Sequence, residues 1–205
     1  PLYCLCFMQT SNKYLYPFIL VTSLFFFWAF LHNLNPILIP HLKKACKLSD
    51  TQSALIDSSV YLAYFVMAIP AGIFMHKYGY KKGILLGLVL YAAGVLLFIP
   101  AASARSYLFF LTALFIIASG ATFLETVANP YVTLLGPKDT SEQRLNFAQS
   151  FNGVGAVMAP LIGTAFILSG VEYTPEQLQG MTPEQMNGWL TAEAATVKIP
   201  YLIIG

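Results

Sequence analysis

Long apolar runs alternate with short polar breaks along most of the chain. A helix that crosses a bilayer needs ~20 predominantly apolar residues, with a range of about 17–25. Five runs reach that length: 14–38, 53–75, 83–102, 107–135 and 147–168. A sixth opens at Val197 and is still apolar at Gly205. The pattern predicts an all-α membrane protein over 14–205, with five complete helices and the start of a sixth. Most polar breaks are short: 41–50, 76–82, 103–106 and 136–144. The last, 170–196, is longer and acidic and reads as an extramembrane loop. Within it, Thr174-Pro175-Glu176-Gln177 and Thr182-Pro183-Glu184-Gln185 repeat one pattern. In each, Thr can cap a helix, Pro can take its first position, and Gln can reach back to the cap. Two short surface helices are expected there.

Composition supports the membrane reading. Hydrophobic residues make up 57% and charged residues 10%, against roughly 25% charged in a soluble domain. Residues 1–13 read as a leader; Met8, before the polar stretch 9–13, is the expected native start, with 1–7 extraneous. A signal peptide over 8–31 is rejected, because the apolar run is too long and no small-residue cleavage site follows. Cys4, Cys6 and Cys46 are too few and too scattered for a disulfide framework or a metal site. There is no basic nucleic-acid stripe, phosphate loop or dinucleotide fingerprint, so neither a nucleic acid nor a cofactor is expected. With the N-terminus inside, six Lys and Arg lie on the inner side and five on the outer. Such a margin barely decides orientation by the positive-inside rule.

Glu125 is the most informative residue. It follows the apolar stretch 107–118 and precedes another at 131–135. An ionised acid at the centre of a membrane helix costs ~2.5–3.5 kcal/mol even by low estimates. Chains keep such an acid where it faces a cavity, a proton or a polar ligand. Asn129 lies four residues on, hence on the same helix face. Asn146, Gln149 and Asn152 recur every three residues and form a polar stripe. Carboxamides both donate and accept, the mixture that a hydroxyl-rich ligand needs, although amides in membranes also join helices to one another. Trp28 could be a platform for the apolar face of a sugar ring, or simply pack. Asp57, the other acid in an apolar run, could titrate or sit at the outer interface. His32 could titrate near neutral pH, or be held by hydrogen bonds. Asn35-Pro36 in the first run and Asn129-Pro130 in the fourth are matching Pro interruptions. Such interruptions in two corresponding parts of a chain point to a transporter site. Gly83 and Gly87 form a Gly-x-x-x-Gly pattern suited to close helix packing.

These stretches resemble the fucose–galactose–glucose:proton symporter family of the major facilitator superfamily, most closely its L-fucose permease-like branch. The carrying residues are Phe27-Trp28-Ala29-Phe30, Asn33-Leu34-Asn35-Pro36-Ile37-Leu38-Ile39-Pro40-His41-Leu42-Lys43-Lys44 and Tyr64-Phe65-Val66-Met67-Ala68-Ile69-Pro70-Ala71-Gly72. To these add Leu124-Glu125-Thr126-Val127-Ala128-Asn129-Pro130 and Arg144-Leu145-Asn146-Phe147-Ala148-Gln149-Ser150-Phe151-Asn152-Gly153. The resemblance implies a twelve-helix fold of two six-helix bundles, with this chain most of the first and the second its packing partner. It implies a monomer in a bacterial inner membrane, with a cytoplasmic N-terminus. It places the coupling acid on Glu125, the fifth-helix amides on Gln149 and Asn152, and the first-helix cavity amide on Asn33. One departure stands out. The family's first-helix motif usually carries an Asp before Ile-Leu-Ile-Pro, whereas here those positions are Asn35 and Pro36. The loop at 72–82 keeps the superfamily's Gly and basic pattern, with His76 where many members carry Asp.

The expectation is a secondary transporter, not an enzyme, that imports a monosaccharide of the L-fucose or glucose/galactose class with H⁺ by alternating access. Glu125 is expected to carry the proton. Asn33, Asn129, Gln149, Asn152 and Trp28 are expected to bind sugar, and Asp57 and His32 are secondary titratable candidates. The alternatives are an uncoupled facilitator and a sugar receptor that does not transport. A membrane enzyme is disfavoured, because no nucleophile, metal set or second catalytic carboxylate accompanies Glu125.

Overall fold

In the computed structural model, the residues described are 12–46, 49–104, 106–167 and 180–189. The helices are α1 (Asn12–Cys46), α2 (Asp50–Tyr78), α3 (Tyr80–Ala104), α4 (Tyr107–Leu134) and α5 (Ser141–Ile167). A 3₁₀ turn at Lys138–Thr140 precedes α5. Four of the described helices contain segments long and apolar enough to cross a membrane: Lys13–Leu34, Asp50–Tyr78, Tyr80–Phe98 and Tyr107–Leu134. The fifth helix, α5, has 27 residues.

The breaks are shorter than the polar pattern predicts, and α2 is capped at both ends. Ser49 and Gln52 form a reciprocal box at the start of α2. Gln52 N donates to Ser49 Oγ at 3.2 Å, and Ser49 N donates to Gln52 Oε1 at 2.9 Å. At the other end only Gly79 separates α2 from α3. Its φ of 84° is natural to glycine, and its N–H donates to Met75 O at 2.8 Å. The expected Pro interruptions do not end their helices: α1 runs past Pro36, and α4 runs past Pro130. Each proline removes one backbone donor. In apolar surroundings the remaining carbonyls have no water to turn to, so the helix keeps its other bonds.

The longest contacts run α4 along α3, α1 along α5, and α4 along α2. Glycines permit the closest of these. A Cβ at Gly120 would lie 2.5 Å from Tyr91 N and 2.7 Å from Gly87 O, so α3 and α4 meet backbone to backbone. The Gly83–Gly87 seam serves the same contact, facing Val127 and Leu124. Gly155 does this for α5, where a Cβ would collide with the carbonyl oxygen of Phe26 on α1. Phe25, Ile56, Val95, Phe98, Phe110, Val127 and Val132 are fully enclosed. The outside is apolar too: Phe65 is 82% exposed and Ile69 72%. Large bare hydrophobics of this kind suit lipid or a protein partner rather than water.

In the last loop, a short helix occupies 183–189. Its capping box is the expected one: Gln185 N donates to Thr182 Oγ1 at 3.3 Å, and Thr182 N to Gln185 Oε1 at 3.0 Å. The matching motif at Thr174, the apolar run from Val197 and the leader 1–11 lie outside the described residues.

Candidate functional site

A cavity of about 400 Å³ opens between α1, α2, α4 and α5. Ligand pockets are commonly about 300–1,000 Å³. Its lining brings together Trp28, His32 and Asn33 of α1, Glu125 of α4, and Gln149 and Asn152 of α5. These residues are up to 124 positions apart in sequence, counting from Trp28 to Asn152.

Each helix contributes for a local reason. On α1, Trp28, His32 and Ala29 with Asn33 are pairs spaced by four, so they stack on one face. The Asn33 Nδ2 donates to Ala29 O at 2.8 Å, which holds the amide against its own helix. On α4, residues 117–124 are all buried, and Glu125 is the first half-buried position after them. Its carboxyl therefore emerges from the most enclosed part of the bundle directly at the cavity wall. On α5, Gln149 and Asn152 line the cavity, while Asn146, the third member of the stripe, is exposed and is not part of the lining.

Asn129 takes a different position from the other amides. Its Nδ2 donates to Glu125 O at 3.0 Å, and its Oδ1 accepts from Gln149 Nε2 at 2.9 Å. It does not line the cavity itself but ties α4 to an amide that does. Asp57 is exposed on α2, one turn before Tyr61, and is also absent from the lining.

Two lining residues were missed by sequence reasoning: Tyr61 and Tyr64 of α2. They sit in a run rich in aromatic and aliphatic residues, where a tyrosine is hard to tell from packing. The available signal was spacing, since Asp57, Tyr61 and Tyr64 fall on one helix face. Trp28, Tyr64 and Glu125 line the same cavity. The His32 and Tyr64 rings meet edge to face, 6.3 Å between centroids. Tyr64 thus joins the three groups that sequence reasoning treated separately.

The end of α4 and the start of α5 are held by Arg144, which is 2% exposed. Its Nη2 donates to Thr133 O at 2.7 Å, its Nε to Val132 O at 3.3 Å, and its Nη1 to Thr140 Oγ1 at 2.6 Å. One guanidinium therefore satisfies the Thr133 carbonyl, adds a second donor to Val132 O, which also accepts from Leu135 N, and fixes the start of α5. The arrangement offers one carboxyl, three lining amides and aromatic walls in one cavity. Among the described residues, no group of three or more His, Cys, Asp or Glu could hold a metal ion.

The family model of the Major Facilitator Superfamily matches residues 18–174. The chain is 48% identical over 195 residues to the L-fucose-proton symporter of Escherichia coli K12, covering 95% of this chain and 44% of that protein. It is 44% identical over 198 residues to the glucose/galactose transporter of Brucella abortus biovar 1, covering 96% and 45%. The fold matches the crystal structure of the transporter FucP in the outward conformation with a TM-score of 0.82 and 47% identity, over 94% of this chain and 47% of that one. The chain thus spans less than half the length of the relatives it matches.

Proposed function

The chain belongs to the Major Facilitator Superfamily, a family of transporters rather than enzymes, and from that premise we propose that it supplies the first half of a monosaccharide–proton symporter. Its substrate is a sugar of the L-fucose or glucose/galactose class, moved by alternating access. The observation that carries the reading is the shared cavity. Glu125 meets Asn33, Gln149, Asn152 and Trp28 there, from three helices.

A sugar presents hydroxyls that donate and accept. The lining amides can answer both, and a site built to bond hydroxyls leaves polar groups unpaired when the wrong ligand enters. Trp28 offers an apolar face. Asn129 sets which way the Gln149 carboxamide turns. Glu125 takes the coupling proton, because a neutral carboxyl crosses the occluded state at lower cost than a carboxylate. A second bundle closes the cavity from the opposite side. The protein acts as a monomer in the bacterial inner membrane, with a cytoplasmic N-terminus and no cofactor besides the coupling proton.

One observation favours a second reading. Asn35 and Pro36 leave the first helix without a carboxylate where the resembling family usually has one. An uncoupled facilitator would follow if that acid were required. The two readings separate in proteoliposomes holding the full-length protein. Under the symport reading, an imposed proton gradient drives uphill sugar accumulation, and Glu125→Gln abolishes it while sugar–sugar exchange persists. Equal accumulation by wild type and variant would exclude Glu125 as the coupling group. Exchange without any uphill accumulation by the wild type would favour the facilitator, and absence of both would favour a receptor.

A further inference from the structure

A second, smaller cavity lies beside the main one. Its volume is about 20 Å³, enough for one water molecule, and its lining includes Trp28, His32, Tyr64 and Tyr91. Three of these four, Trp28, His32 and Tyr64, also line the large cavity that holds Glu125. His32 and Tyr64 therefore stand between a water-sized space and the carboxyl.

The titratable groups also lie in order along the bundle. The Tyr107 hydroxyl donates to Gln52 O at 2.9 Å, so the start of α2 and the start of α4 lie at one end of the bundle. Counting from that end at 1.5 Å per residue, Asp57 lies about 10 Å in, His32 and Tyr64 about 20 Å, and Glu125 about 27 Å. The His32 and Tyr64 rings meet edge to face, and Tyr64 shares the large cavity with Glu125. The groups form a ladder from the bundle end to the coupling acid.

We propose that His32 and Tyr64 are a proton relay that delivers the coupling proton to Glu125, with Asp57 at its mouth. This rests on Glu125 being the proton carrier. Placement sets the direction: Tyr64 lines both the small cavity and the large one, and a phenol can accept one proton as it donates another. In the transfer, His32 takes a proton from water at the mouth. It passes a proton to the Tyr64 oxygen, through the water-sized space, as the Tyr64 hydroxyl hydrogen goes to the Glu125 carboxylate. One O–H bond breaks and one forms at Tyr64, so the phenol is unchanged, and the net result is one proton moved from water to Glu125. The titratable or charged groups facing His32 are Asp57, Tyr61 and Tyr64 from α2, Tyr91 from α3 and Glu125 from α4. The two α5 residues that line the cavity, Gln149 and Asn152, are neutral.

The test uses the full-length protein in proteoliposomes. The quantity read is the rate of proton-driven uptake divided by the rate of sugar exchange, measured from about pH 5.5 to about pH 8, the range in which histidine titrates. A positioned acid–base group contributes roughly 10²–10⁴-fold to a proton transfer, so a relay that limits delivery when protons are scarce has a large effect. H32Q and Y64F should each lower the ratio at least ten-fold near the alkaline end and recover towards wild type near the acid end. D57N should shift the same profile by a smaller amount. A misfolded variant is recognised independently, by aggregation in size-exclusion chromatography of the detergent-solubilised protein, and is set aside before transport is read. Y64F keeps the ring and the fold while removing only the hydroxyl. Wild-type ratios for both H32Q and Y64F at every pH would overturn the relay and leave the Glu125 reading intact. A uniform loss of exchange and uptake together would assign His32 to sugar binding and also overturn it. E125Q run in parallel reports separately on the underlying reading.

Discussion

Gln149 on α5 donates from Nε2 to Asn129 Oδ1 on α4 at 2.9 Å, one helical turn beyond Glu125. This bond fixes an amide of the cavity wall through a neighbour outside the cavity. A net hydrogen bond is worth about 0.5–1.5 kcal/mol, and 1.4 kcal/mol is ten-fold in affinity. Q149A should therefore weaken sugar binding by roughly 3–10-fold. N129A should weaken it less, because it removes only the orienting bond. The double variant should fall short of the product of the two effects, since neighbours that share one bond are not additive. Titration calorimetry of purified full-length variants checks this; strictly multiplicative losses would show that Asn129 does not act through Gln149.

Trp28 is predicted to act by its ring. It walls the cavity that Glu125, Gln149 and Asn152 also line, where a broad apolar ring can meet the face of a sugar. W28F keeps an aromatic face and should bind sugar within about three-fold of wild type, whereas W28A should lose about ten-fold or more, on the scale of a stacking contact and its packing. Equal losses in the two variants would point to the indole N–H instead.

Arg144 should be needed for stability at the α4–α5 junction. Its removal leaves the Thr133 carbonyl without the Arg144 donor, while Val132 O keeps the Leu135 N–H. An unsatisfied buried polar group costs about 1–3 kcal/mol. R144A should lower the thermal midpoint of the detergent-solubilised protein. R144K should restore little, because an ammonium cannot make the planar fork that reaches both carbonyls and Thr140. Full rescue by lysine would show that charge alone matters.

Two glycines two residues apart on α5 make a contrasting pair. A Cβ at Gly155 meets the Phe26 carbonyl of α1, whereas one at Gly153 meets nothing within 4 Å. Overpacking of this kind costs about 1–3 kcal/mol, and a backbone carbonyl yields less readily than a side chain. G155A should lower the thermal midpoint more than G153A. The reverse order would contradict the close approach of α1 and α5.

The helices were legible because bilayer length and apolar composition are strong constraints. The fourth run, read as 107–135, is helical over Tyr107–Leu134. Glu125, Gln149 and Asn152 were legible for the same reason: polar groups stand out against an apolar background. Helix ends were less so. The polar stretch 136–144 reads as a loop, yet α5 starts at Ser141, because Arg144 finds its partners across the turn. Charge in the sequence gave no hint that those partners were carbonyls twelve and eleven residues back. Tyr61 and Tyr64 were hidden because an aromatic ring in an apolar helix reads as packing until its hydroxyl is located. The role of Asn129 as a strut required a contact between two helices, which spacing along one helix cannot supply.

The central claim is that Glu125 carries the proton that moves with the sugar. The direct measurement is the pH change outside lightly buffered vesicles that contain the full-length protein, when sugar is added without an imposed gradient. Wild type should make the medium more alkaline as protons enter with sugar. E125Q should bind and exchange sugar with no such change. An undiminished alkaline shift in E125Q would contradict the account.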